Sequence, residues 1–140
     1  MLDAIRLGRF TFTVFLILLT SCGNSDATAG LGDPVELALG ESVSIESEDL
    51  SVTFTAVIED SRCPSDVQCV WEGNAKIKLT LSKLGASDKP VSLNSSKRFE
   101  TEVSYLNYRI KLLDVSPQRG AVSSHLGQED YRVTIIILID

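Results

Sequence analysis

From Pro34 to the C-terminus, apolar and polar residues alternate, and this period of two limits the fold of the chain more than any other feature. Residues 50–56 place Leu, Val, Phe and Ala between Ser and Thr, and residues 75–81 place Ala, Ile and Leu between Lys and Thr. Because successive side chains of a strand point to opposite faces of a sheet, the pattern predicts half-buried strands. No stretch of ten or more residues in this region carries a helical apolar stripe.

Weaker segments of the same kind follow, with turn residues between them. The last segment, 131–139, is apolar on both faces over 135–139 and predicts a central strand covered on both sides. About seven short strands predict an all-β domain, an antiparallel two-sheet sandwich of immunoglobulin-like type, and a small β-barrel is the alternative. The remaining candidate strands are 35–39, 42–45, 91–93, 101–103 and 108–115.

The N-terminus has the layout of a cleaved signal peptide. Arg6 and Arg9 precede an apolar run over 10–19, and Ser21 precedes Cys22. As a helix the run would span only about 15 Å, about half the hydrocarbon thickness of a bilayer, so it is too short to remain as an anchor. Leu-Thr-Ser-Cys at 19–22 looks like a lipobox, in which the cysteine thiol carries diacylglycerol and becomes the new N-terminus. A plain secretory signal with a chance cysteine is the alternative.

Three regions are therefore expected: a lipoprotein signal peptide over 1–21, a flexible lipid-anchored tether over 22–33, and a single β domain over 34–140. Acyl chains on Cys22 would hold the protein durably on a membrane of the bacterial cell envelope. Gly23 follows in place of the aspartate that resembles an inner-membrane retention signal. The outer membrane is thus favoured in a diderm host, and the outside of the cell membrane in a monoderm.

The charge balance and the residue types argue against several function classes. The chain has 13 basic and 19 acidic residues, a net charge of −6, and no Lys/Arg cluster that would neutralise phosphates, so no nucleic-acid partner is expected. Its single histidine, His125, lies in a loop-like segment with no spacing that suggests an activated nucleophile. Gly-rich phosphate loops are absent from the sequence. We therefore expect no enzyme, no catalytic residue and no cofactor.

Cys63 and Cys69 remain as a pair once Cys22 carries lipid, and an oxidising compartment makes a disulfide the expected outcome. Closing this short loop stabilises the fold by on the order of 2 kcal/mol in the chain-entropy picture, and Pro64 stiffens it further. A metal site is the competing interpretation, but the C-x5-C spacing does not favour it, and no metal is expected. The neighbouring acids lack the spacing of an EF-hand: Asp60, Asp66 and Glu72.

The segment around these cysteines resembles a known family. D-S-R-C-P at 60–64 and V-Q-C-V-W-E-G-N-A at 67–75 are similar to the D-S-R-C-P...V-x-C-x-W-x-G-x-A signature of a family of small bacterial lipoproteins and secreted proteins. Residues 108–117 and 130–135 are similar to later segments of that family, so the resemblance covers about 37–138. It implies a domain type and a cell-envelope setting, and it brings no activity. Residues 63–73 are called the signature loop below.

The residues of the motif also have a physical interpretation. Trp71 is expected to lay its indole over the disulfide and cap one end of the core, and an exposed platform that stacks on a sugar or peptide is the alternative. Gly73 should supply a positive φ or a close backbone approach. Arg62 should order the loop by binding a carboxylate, or else bind a ligand. Its candidate partners are Asp60, Asp66 and Glu72.

Three functions remain as hypotheses. The first is a lipid-anchored, non-enzymatic interaction or scaffolding module that meets another envelope protein or the cell wall. The second is a small-ligand or metal-binding periplasmic module that uses the signature loop. The third is a hydrolase, or an inhibitor that presents the loop to the active site of one.

Overall fold

A computed structural model describes residues 26–118 and 126–140. Within these ranges the chain forms nine strands and two single-turn 3-10 helices, Glu46–Glu48 and Gln128–Asp130. No helix in the described ranges is long and apolar enough to cross a membrane. The strands are β1 Asp26–Thr28, β2 Val35–Ala38, β3 Ser42–Ile45, β4 Leu50–Asp60, β5 Ala75–Lys83, β6 Lys89–Asn94, β7 Glu102–Tyr105, β8 Tyr108–Ser116 and β9 Arg132–Ile139.

The strands form two sheets that pack face to face. One sheet has the order β1-β3-β4-β5-β6 and the other the order β2-β9-β8-β7. Every pairing is antiparallel except that of β1 with β3. The prediction of an all-β antiparallel two-sheet sandwich is confirmed, and the sheets are not closed into the alternative barrel. The described ranges hold nine strands in place of about seven.

The core lies between the sheets and is built from the alternation in the sequence. Along β4 as far as Phe54, and along β5 as far as Leu81, every second side chain is buried in the core and the residues between are more exposed. β8 and β9 contribute the facing layer in the same way. The largest fully buried side chains of these four strands are Tyr108, Phe54, Leu50, Ile77, Leu79, Leu81, Ile110, Ile135 and Ile137.

β9 corrects one expectation. It is an interior strand, paired with both β2 and β8. Ile135 and Ile137 are buried, whereas Ile136 and Leu138 on the other face are half-buried, so the prediction of a strand covered on both sides is wrong. A two-layer sandwich gives each sheet one inner face, and an apolar residue on the outer face keeps part of its exposure.

The segment 26–33 corrects a second expectation, because its polar composition predicts a flexible tether. β1 pairs in parallel with β3, and Ala29 N donates to Ser44 O at 3.2 Å. Ala27, Ala29 and Leu31 are partly buried and pack against the core. Within the described residues, the chain is therefore part of the sandwich from Asp26 onward. The signal peptide, Cys22 and His125 lie outside the described residues.

Candidate functional site

Residues 61–74, which include the signature loop, extend the β4–β5 hairpin beyond its last strand pair and are called the hairpin extension. These two strands pair from Leu50↔Lys83 at one end to Asp60↔Ala75 at the other. Beyond that pair, Ser61 N donates to Asn74 O at 2.7 Å and Cys63 N donates to Glu72 O at 2.9 Å. The loop therefore leaves the sandwich with its backbone already paired.

A disulfide closes the tip of the loop, as predicted. Cys63 and Cys69 are bonded, with their Cα atoms 5.9 Å apart. Pro64 O accepts a hydrogen bond from Val67 N at 3.3 Å within the closed ring. Asp66 lies exposed between them at the tip.

Gly73 meets both of its predicted requirements. Its φ is +72°, in the region that glycine adopts without strain. A Cβ built on it would lie 2.0 Å from Ser61 O and 2.7 Å from Arg62 Cα. The two chains of the hairpin extension can approach this closely only because position 73 has no side chain.

Arg62 binds Asp60, one of its three candidate partners, and locks the base of the loop to the sandwich. Its Nε donates to Asp60 Oδ1 at 2.9 Å, and its Nη2 donates to Asp60 Oδ2 at 2.8 Å. Nη2 also donates to Pro117 O at 2.8 Å, and Nη1 donates to Val115 O. With 7% of its surface exposed, Arg62 is engaged by the protein itself, which supports a structural role over the alternative of a ligand-binding residue.

The environment of Asp60 holds its carboxyl in the charged form. Burial on its own would raise the pKa of Asp60, but the hydrogen bonds and positive charge of Arg62 outweigh burial. Tyr131 adds a hydrogen bond, with its hydroxyl donating to Asp60 Oδ2 at 3.0 Å. The pKa of Asp60 therefore lies below its ordinary value of 3.8.

Trp71 does not cap the core, and that prediction is wrong. Its surface is 66% exposed. The buried side chains at the base of the loop are instead Tyr131, Arg62 and Asp60, and the first two are hydrogen-bonded to Asp60. Most of the Trp71 surface therefore lies in solvent.

The exposed indole lines a cleft of about 430 Å³. One wall is the hairpin extension with the adjoining ends of β4 and β5, and the other is Asn94 at the end of β6 with the segment 95–99 that follows it. Phe99, 57% exposed, lines the same cleft from the second wall. The remaining side chains of the lining are polar or charged: Glu59, Ser61, Glu72, Asn74, Lys76, Asn94, Ser96 and Arg98.

A hydrogen-bonded network joins the two walls. Asn74 Nδ2 donates to Asn94 Oδ1 at 2.9 Å, and Ser96 N donates to Asn74 Oδ1 at 3.1 Å. Asn94 Nδ2 donates to Glu100 O at 3.1 Å. The hydroxyl of Ser96 lies 2.8 Å from Glu72 Oε1 and donates to it. Since Asn94 and Ser96 are buried, the network fixes both walls in one arrangement.

The second wall was not identified as a site by sequence reasoning, which gives 94–96 as turn residues. No motif connects these positions with the signature loop, because the hairpin and β6 bring them together through the sheet. The sequence carries no signal for this wall, because the burial of Asn94, which requires hydrogen-bond partners for its amide, is visible only in the structure.

No metal centre is formed in the part of the chain that the structure describes. Within 26–118 and 126–140, no group of three or more His, Cys, Asp or Glu side chains is placed to hold a metal ion. Glu72 is hydrogen-bonded to Ser96 in the cleft wall, and Asp66 lies at the loop tip.

Comparisons of the chain with protein-family models, with curated proteins and with solved structures gave no match.

Proposed function

We propose that the protein is a non-enzymatic binding module of the bacterial cell envelope, anchored by lipid on Cys22, which binds its ligand or partner in the cleft beside the signature loop. The observation that carries the proposal is the 66% exposure of Trp71 in the lining of that cleft. Large aromatic side chains with one face open are typical of binding sites, where they give contact area at low entropic cost. The volume of about 430 Å³ falls in the range of about 300–1,000 Å³ of small-molecule sites.

The rigidity of the loop supports the same function. The disulfide between Cys63 and Cys69, the Gly73 contact and the Arg62–Asp60 ion pair each remove freedom from the segment that carries Trp71. A binding site that is fixed before its ligand arrives loses less conformational entropy on binding.

The test replaces Trp71 with alanine in the full, lipid-processed protein extracted in detergent. We expect the variant to lose retention on purified cell walls or envelope fractions while its free energy of unfolding changes by less than about 0.5 kcal/mol, as for other surface positions. The fluorescence of the single tryptophan should be red-emitting and readily quenched by acrylamide in the free protein.

Leu84→Ala is the matched control. Leu84 is 81% exposed and follows Lys83, at the opposite end of the β4–β5 hairpin, so its loss should change neither retention nor stability. A Trp71→Ala variant that is retained as well as the parent would overturn the proposal. A loss of about 3–5 kcal/mol in the free energy of unfolding would indicate that Trp71 is buried in the core, and this too would contradict the proposal.

The non-enzymatic part of the proposal has its own measurement. Glu59 and Glu72 both line the cleft, and most glycoside hydrolases use a pair of carboxylates as their catalytic residues. Bound material should nevertheless be recovered with unchanged mass after prolonged incubation. Recovery of cleaved fragments would make the protein a hydrolase.

A further inference from the structure

Two flat apolar surfaces face the same cleft. Trp71 lies on the hairpin extension and Phe99 on the segment after β6, and both side chains are more than half exposed. An aromatic ring with a free face binds a second flat, weakly polar surface by stacking. The C–H face of a sugar ring is such a surface, and its hydroxyl groups project sideways from it.

The polar lining is suited to those hydroxyl groups. Asn74 carries a partly exposed amide, which both donates and accepts hydrogen bonds, and Glu59 and Glu72 carry acceptors. A sugar hydroxyl also both donates and accepts. The network through Ser96 holds the side chains that it joins in position before any ligand arrives.

The charges of the cleft balance. Lys76 and Arg98 line it together with Glu59 and Glu72, so its formal charge is zero although the whole chain carries −6. A polyanion would be repelled by the protein as a whole and would gain no local compensation. A lipid tail could contact the two aromatic rings, but it would give the polar and charged side chains of the lining no hydrogen-bond partner.

The backbone of both walls is already paired. Ser61 N and Cys63 N donate to the facing strand of the hairpin extension, and on the other wall Asn94 N donates to Glu100 O and Phe99 N donates to Ser96 O. An extended peptide is commonly bound by adding a strand to a free sheet edge. This cleft presents side chains in place of such an edge.

We infer that the ligand of this cleft is a glycan of low net charge, with sugar rings stacked on Trp71 and Phe99 and their hydroxyls bonded to the polar walls. The inference rests on the proposed function and adds to it the chemical class of the ligand. A glycan of the cell wall and a polysaccharide of the cell surface share this chemistry, and they differ in their N-acetyl groups.

The experiment titrates the full, detergent-extracted protein with two soluble probes, a tetramer of N-acetylglucosamine and a tetramer of glucose. Binding is followed by calorimetry and by the emission of Trp71. We expect saturable binding of at least one probe, with a blue shift and protection of Trp71 from acrylamide. Preference for the N-acetylated series assigns the ligand to amino-sugar glycans, and preference for the glucose series assigns it to neutral polysaccharides.

The variants test the placement of the sugar. Trp71→Ala and Phe99→Ala should each weaken binding about five- to tenfold, while Trp71→Phe keeps a stacking face and retains most of the affinity. Leu84→Ala is the control with unchanged binding. Probe binding that does not depend on Trp71 and Phe99 would overturn the assignment to this cleft.

A second arm separates failure of the glycan from failure of the binding module. If Trp71-dependent retention on envelope fractions is destroyed by periodate oxidation of the fraction, the ligand is a glycan even when neither probe binds. If that retention resists periodate and is destroyed by protease, the glycan inference is wrong and the binding function stands. If retention does not depend on Trp71, both are wrong.

Discussion

Replacing Arg62 with methionine should detach the signature loop from the end of the sandwich. The guanidinium donates two hydrogen bonds to Asp60 and one each to the carbonyl oxygens of Val115 and Pro117. Methionine keeps much of the apolar length and has no donor. The variant would therefore remove the guanidinium donors from a buried carboxylate and from two carbonyl oxygens, and Asp60 would keep the hydrogen bonds from Tyr131 and from the backbone N–H of residue 62.

The expected loss is about 3–5 kcal/mol of unfolding free energy, the usual effect of removing one partner from a buried ion pair. This is a large fraction of the roughly 5–15 kcal/mol that stabilises a domain. The value for a buried pair applies because Arg62 and Asp60 have side chains only 7% and 6% exposed. Arg109 and Asp140 form an ion pair whose side chains are 42% and 34% exposed, so Arg109→Met is the matched control with little effect.

The loss should depend on pH with a definite sign. In the parent, the pKa of Asp60 lies below 3.8 in the folded state, so its charge stabilises the fold above about pH 4, and this contribution is lost as pH falls through the folded pKa. Replacing Arg62 removes its side-chain hydrogen bonds and its positive charge, which lower the pKa of Asp60, while burial remains and opposes the charged form, so this pKa should be higher in the variant than in the parent. The difference in stability between parent and variant should therefore shrink from about pH 7 to below about pH 4.

Urea unfolding of the full chain, followed by far-UV circular dichroism at both pH values, measures these quantities. Arg62→Met, Asp60→Asn and the double variant complete a mutant cycle. The double variant should lose less than the sum of the single losses, because no unpaired buried charge remains. A loss below about 1 kcal/mol for Arg62→Met, or additive losses, would refute the reasoning.

Three other outcomes are expected. Gly73→Ala should destabilise the fold much more than Gly85→Ala. Both glycines have a positive φ, but only at position 73 would the new methyl group meet a backbone oxygen, at 2.0 Å. Equal shifts of the urea midpoint would contradict the close approach. The Gln128 side chain accepts a hydrogen bond from Val57 N at 2.8 Å and donates one to Val57 O at 2.9 Å. Gln128→Ala should therefore lower the free energy of unfolding by about 1–3 kcal/mol and speed amide exchange at Val57. Unchanged exchange would show that Gln128 does not protect this amide. Cys22→Ala should move the protein from the membrane to the soluble envelope fraction, and continued membrane partitioning would disprove the lipid anchor.

The strands could be predicted because burial of one face imposes a pattern on the sequence. The strand predicted over 42–45 has the same limits as β3, and the strand predicted over 50–56 lies within the longer β4. β4 extends to Asp60 through two bulges, and these break the alternation where residues 57–60 would otherwise continue it. β1 was missed because an edge strand of three residues carries no period of its own.

The candidate site was predictable in its covalent parts and in its local contacts. The disulfide, the close approach at Gly73 and the pairing of Arg62 with Asp60 all join residues near one another in the sequence. The cleft was not predictable, because its second wall comes from a segment that only the pairing of β5 with β6 brings alongside.

The exposure of Trp71 is set by the tertiary structure, and no local sequence rule determines it. The buried group at the base of the loop consists of Arg62, Asp60 and Tyr131, which are hydrogen-bonded through Asp60, whereas Trp71 is 66% exposed. Because the Trp71 indole keeps most of its surface in water, it contributes little to the free energy of unfolding. We therefore expect Trp71 to contribute to ligand binding and not to stability. The rigid loop holds its indole beside the cleft before the ligand arrives, which lowers the entropic cost of binding in the cleft.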